Sequence, residues 1–106
     1  MQRVDEHQRR VVSQMLDEVS RYRSGDLEIR ALVQNLQGLM GAADFHAERL
    51  RDEFWNVEAE ISMEMELRTE AWAPTGSASD ERLEDGLTAF VAWVNDLLSD
   101  ADPTRA

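Results

Sequence analysis

The chain has no cysteine. A disulfide framework and a thiolate metal site are therefore excluded, and a reducing, cytoplasmic location is the expected one. Lysine is absent too: all eleven positive residues are arginine, the choice that GC-rich coding favours. No apolar run approaches the roughly 18 residues that a membrane span requires. The opening residues Met1 to His7 are polar and carry no apolar stretch of the signal-peptide kind. There are two prolines, no internal repeat, no strand-like alternation and no low-complexity tract. At 106 residues the expectation is one domain, long enough to bury a single core without staples.

What is abundant is acid, unevenly placed. Residues 1–43 carry six acids and six arginines, whereas residues 44–106 carry sixteen acids against five arginines and hold the whole net charge of −11. The acids fall on segments with helical periodicity, so they form a charged face and not a disordered tail. Such a face repels nucleic acid and anionic membrane and attracts basic surfaces.

Four segments show the helical period. The first spans about 5–22, with Val4, Val11, Met15, Val19 and Tyr22 on one side, and Ser24-Gly25 ends it. The second spans about 28–40, with Asp26 as the expected N-cap, Leu32, Val33 and Leu36 in its stripe and Gly41 as its stop. The third is expected to be the longest, about 44–71, with Leu50, Phe54, Val57, Ile61, Met65 and Trp72 inward and Ala43 and Ala47 extending the stripe. Pro74 and Gly76 mark a loop at 73–79. Ser79 then caps a fourth helix reaching about Leu98, with Leu83, Leu87, Phe90, Val94 and Leu97 inward. The expected fold is all-α, a single four-helix bundle with one long helix. Residues 1–99 form the domain and 100–106 a frayed tail.

Tests for chemistry return little. Neither His7 nor His46 has a glutamate three residues before it, as a di-iron bundle would require. His46 reads as a boundary or surface histidine. Glu53, Glu60 and Glu64 line one flank of the third segment and are the one row a divalent cation could use. They lack the inward ExxE pattern of the helical nucleotide pyrophosphatases. There is no nucleophile elbow, and the loop at 74–79 has no lysine for a phosphate cradle. No catalytic residue, cofactor or metal is expected.

Trp55 falls off the core stripe of the third segment, amid Glu48, Asp52, Ser62 and Glu66. Either the helix buries a wide arc that takes in Trp55 and Met63, or Trp55 is an exposed anchor on an acidic face. Trp93, at the edge of the fourth stripe, is open in the same way. Arg68 lies within the third stripe and is expected to snorkel or pair with a nearby acid.

Two stretches carry a resemblance: Tyr22-Arg-Ser-Gly-Asp-Leu-Glu-Ile-Arg-Ala-Leu-Val-Gln-Asn-Leu-Gln-Gly-Leu39 and Phe54-Trp-Asn-Val-Glu-Ala-Glu-Ile-Ser62. The pattern is a helix ending in Ser-Gly, a short leucine-rich helix, then a long helix with an aromatic pair. It resembles small acidic helical immunity proteins of bacterial toxin–immunity systems, including the colicin D immunity type and those paired with contact-dependent toxins. The resemblance covers about residues 10–65, is architectural, and transfers no functional residue. It implies a cytosolic inhibitor that covers the basic site of a nuclease toxin with its own carboxylates.

The expected function is thus a non-enzymatic acidic binding module, with an immunity protein for a basic toxin domain as its leading form. A homodimeric regulator or adaptor is the alternative, and a metal-dependent nucleotide hydrolase is a distant third. The partner-binding residues expected are Glu48, Asp52, Trp55 and Glu66 on the third helix, with Glu81, Glu84 and Asp85 on the fourth as a second patch.

Overall fold

Asp5 starts the first helix by a reciprocal exchange. Its carboxylate accepts from the Gln8 amide at 2.8 Å, and the Gln8 side chain accepts from the Asp5 amide at 3.1 Å, so two of the free amides of the first turn are satisfied. The computed structural model describes residues 4–100; of the tail expected at 100–106, Asp100 belongs to the last helix and 101–106 lie outside the described residues. The described residues form four helices: α1 Glu6–Arg23, α2 Ile29–Ala43, α3 Glu48–Thr69 and α4 Asp80–Asp100. They form an all-α four-helix bundle. α1 packs against α2 and α4, and α3 packs against the same two, so the helices close into a ring. Among the described residues no helix is long and apolar enough to cross a membrane.

The ends of the helices follow local rules in some places and tertiary ones in others. α1 stops at Ser24, and Gly25 takes φ +87°. The amide of Asp26 donates to the Arg21 carbonyl at 2.9 Å and that of Gly25 to the Tyr22 carbonyl at 3.1 Å. This is the Schellman arrangement that only glycine reaches without strain. Asp26 is therefore used up in the turn, where the Ser24 hydroxyl donates to it. It is not the cap of α2 that the sequence suggests; Glu28 holds that position, without a side-chain bond.

Gly41 does not stop α2 either. The helix continues to Ala43 and ends at Asp44, which takes the left-handed conformation at φ 51°. The cause is tertiary. His7 Nε2 lies 2.9 Å from the Ala42 carbonyl, which can only accept, so that nitrogen carries the proton; the Gln8 amide donates to the Asp44 carbonyl at 3.2 Å. The start of α1 thus satisfies the orphan carbonyls that end α2. The break at Asp44 also shortens α3. It runs from Glu48 to Thr69 rather than from about 44 to 71, and its 22 residues barely exceed the 21 of α4. Phe45, in the connection, is buried in the core, whereas Ala47, expected to extend the stripe of α3, is exposed.

The core joins Val12, Met15 and Val19 of α1, Leu32 and Leu36 of α2, Leu50, Phe54 and Ile61 of α3, and Leu87, Phe90, Val94 and Leu97 of α4. Val57 and Met65 are only partly buried against it. Trp72 is no core residue: it follows the end of α3 and is 61% exposed. At the centre, the rings of Phe54, Phe90 and Trp93 meet at 5.9–6.0 Å between centroids, tilted or edge-on, as aromatic quadrupoles prefer. Trp93 is thereby resolved as a half-buried member of the core, its indole N–H donating to Glu53 at 2.9 Å. Gly86 lets α3 and α4 approach closely, since a Cβ there would stand 3.1 Å from Glu60 Cγ.

Phe54 is the residue on which this packing turns. Replacing it with alanine should cost about 3–5 kcal/mol through the cavity left behind. Met63→Ala, on the exposed side of the same helix, should stay within about 0.5 kcal/mol of the parent. Chemical denaturation of the two variants reads both values. A Phe54→Ala protein as stable as Met63→Ala contradicts the packing described.

Candidate functional site on the outer face of α3

α3 carries a weaker apolar stripe than the other helices. Two things dilute the stripe. Apolar Trp55 and Met63 stand on the outside, 46% and 48% exposed. Charged Glu58 and Glu64 stand on the inside, 2% and 1% exposed.

The outer stripe reads Glu48, Asp52, Trp55, Ala59, Met63 and Glu66 at helical spacing. From Glu48 to Glu66 it extends about 27 Å at 1.5 Å per residue. All are exposed except Glu66, which is half-buried. The wide-arc alternative for Trp55 does not hold: the side chain is exposed, and its ring meets Phe54 edge-on at 5.0 Å. The four expected residues of α3 thus share one face, with Trp55 at its middle.

The second expected patch is not uniform. Glu81 and Asp85 are exposed one turn apart at the start of α4. Glu84 accepts from Arg23 at 2.6 Å, and the same guanidinium donates to the Thr88 hydroxyl at 3.3 Å. Glu84 is therefore engaged in the seam between α1 and α4.

Nor do the three carboxylates of the possible metal row converge. Glu53 pairs with Arg49 and accepts from Trp93, Glu64 is buried among arginines, and Glu60 packs beside Gly86. Among the described residues no group of three or more metal-binding side chains comes together.

The two buried acids behave oppositely. Glu64 sits where α3, α4 and their connection meet. It accepts from the Ser79 amide at 2.8 Å and from Arg82 Nε at 3.0 Å, with Arg68 at 3.6 Å. Arg68 also pairs with Asp80 at 3.0 Å, in keeping with its expected role. Burial pushes the Glu64 carboxyl up, but those hydrogen bonds and the two arginines together hold it below the usual range. Ser79 meanwhile caps α4 by accepting from the Arg82 amide at 3.2 Å, so one arginine serves both the cap and the acid.

Glu58 faces α2. It accepts from the Ser62 hydroxyl and from the Gln37 amide, the latter at 3.3 Å. Both partners are neutral. Burial raises its carboxyl, and the two hydrogen bonds offset only part of the rise. Sequence reasoning missed Glu58 because nothing in a list of acids separates one that faces a neighbouring helix from one that faces water.

These shifts fix the sign of two pH effects. The lowered carboxyl of Glu64 stabilises the fold above the ordinary glutamate range and loses that effect as pH falls through its folded value. The raised carboxyl of Glu58 favours the fold only while protonated, so its ionised form is a cost at neutral pH. Glu64→Gln should therefore destabilise by about 2 kcal/mol at neutral pH, with the loss shrinking in acid. Glu58→Gln should stabilise by about 1 kcal/mol, several degrees of melting temperature for a domain this size, with the gain fading in acid. Thermal unfolding of both variants from pH about 3 to 8 checks the two signs together.

No protein-family model matches the chain, and no curated protein or solved structure matches it, so the chemistry of its own surfaces carries the functional reading.

Proposed function

We propose that this chain is a non-enzymatic binding module that engages a basic protein surface through the outer face of α3. The observation that carries the reading is the placement of two large exposed apolar side chains, Trp55 and Met63, within a stripe of unpaired acids. A tryptophan at the middle of a charged surface has the make-up of an interface anchor. The surrounding acids supply steering and partner choice. The surplus of acid in the second half of the chain weakens the compact state by self-repulsion, and a basic partner relieves that repulsion on binding. A second copy of the chain would instead bring like charges together, which disfavours the homodimer alternative.

The resemblance to immunity proteins makes a nuclease toxin domain the first partner to test, as the finer form of the same proposal. In that form the acids of α3 occupy the surface where the toxin would hold its nucleic acid, and inhibition follows from occlusion alone.

The partner can be fixed by placing a photo-cross-linking amino acid at position 59 in the native host. Its association rate with the purified chain should then fall steeply between low and physiological salt, because screening shortens the reach of the field. Reversing Asp52 and Glu66 together to arginine should slow association by at least about tenfold and leave the melting temperature unchanged. A rate indifferent to both salt and the double reversal contradicts the proposal. So does divalent-dependent nucleotide turnover by the purified chain that disappears in Glu60→Gln.

A further inference from the structure

One buried acid on α3 has only neutral hydrogen-bond partners. Glu58 is buried, and both of its neutral donors, Ser62 and Gln37, bond to the same oxygen, Oε1. Two arginines of the same pair of helices are placed elsewhere. Arg51, seven residues earlier on α3, has its guanidinium on the carbonyls of Phe45 and His46. Arg30, seven residues before Gln37 on α2, stands two turns away, about 10 Å along the axis. Burying a carboxylate without a cation is unfavourable, and the contrast with Glu64, attended by two arginines in the same helix, is sharp.

The surroundings of Glu58 suit a visiting cation. Trp55, on the outer face, lies one turn before it and about 60° round α3 from it, and an exposed indole holds a guanidinium or an ammonium well. From α2, the side chain of Gln37, an exposed residue, reaches Glu58 through one long hydrogen bond. Beside Gln37, Gly38 and Gly41 have nothing within 4 Å of where a Cβ would stand. Neither has a positive φ, and glycine weakens a helix interior. Their effect here is to leave the α2 backbone bare next to the one side chain that must move.

We infer that Glu58 is the anchoring carboxylate of the binding face: an arginine or lysine side chain of the partner lies against Trp55, displaces the Gln37 amide and pairs with Glu58. The inference rests on the reading of α3 as a surface for a basic partner, and names the group that reads the partner's charge. An acid in open water discriminates weakly among cations, because solvent screens it. A buried acid with no cation of its own gains from a positive side chain and gains nothing from a neutral one of similar size.

A hexa-arginine peptide serves as the probe, titrated calorimetrically at about pH 5 in two buffers of different ionisation enthalpy. The native chain should bind it and release protons, since Glu58 must ionise fully to pair. Glu58→Gln should bind about tenfold more weakly and release fewer protons, although the variant is the more stable protein and so cannot owe its weakness to unfolding. Glu60→Gln, which removes an exposed acid from the opposite flank of α3, should change the affinity by less than about twofold. If Glu58→Gln matches Glu60→Gln in both affinity and proton release, the anchor is wrong. Should that happen while the Asp52 and Glu66 double reversal still abolishes binding, the outer face stands without Glu58. If no variant alters binding, the face and the anchor fall together.

Discussion

Burying an ionised carboxylate is costly unless the fold gathers donors and cations around it, and the corner between α3 and α4 is assembled about one such group. Glu64 receives the backbone of Ser79, the guanidinium of Arg82 and the nearby charge of Arg68. Each of these does a second task. Ser79 caps α4, Arg82 also reaches the Ser77 carbonyl across the connecting loop, and Arg68 holds Asp80 at the first residue of α4. The loop, the start of α4 and the end of α3 are therefore fixed by one charge. Once that corner is set, the close approach at Gly86 and the ring cluster of Phe54, Phe90 and Trp93 follow along the same pair of helices.

The same helix carries the opposite solution one and a half turns earlier. Glu58 is as thoroughly buried, yet its partners are an amide and a hydroxyl. A chain selected for stability alone would hold glutamine or an apolar residue there, because a buried charge without a counterion is replaced at no loss. Keeping an acid that lowers stability is the trade that binding sites commonly make. It also accounts for the company Glu58 keeps: an exposed tryptophan one turn before it, and bare glycine backbone beside the side chain that reaches it from α2. On the proposed reading one face of α3 serves a partner, while the other is locked to α4.

Much of the fold was legible because its signals are local. The periodic apolar positions of α1 and α4, the glycine that closes α1 and the serine that opens α4 each act within a few residues, and each stands where its local chemistry puts it. The failures share a different cause. Asp26 has the chemistry of a helix cap, but the preceding turn takes its backbone first. Gly41 has the chemistry of a stop, but His7 and Gln8, more than thirty residues away in sequence, satisfy carbonyls beyond it and move the end to Asp44. Phe45 and Trp72 flank α3 at equal face value, yet only the first is reached by the core. For the site, the stripe through Trp55 could be drawn on a helical wheel, whereas the engagement of Glu84 by Arg23 and the burial of Glu58 could not, since both depend on which helix stands opposite.

The account's central claim is that α3 holds two buried carboxylates in opposite electrostatic states, one compensated within the chain and one left for a partner. Carbon-detected NMR titration of the glutamate side chains in the free protein measures this without any variant or ligand. The account predicts that Glu64 titrates below the ordinary glutamate range and Glu58 above it. Glu58 titrating with the exposed glutamates, or below them, would mean that its charge is already satisfied within the chain, and would contradict the claim.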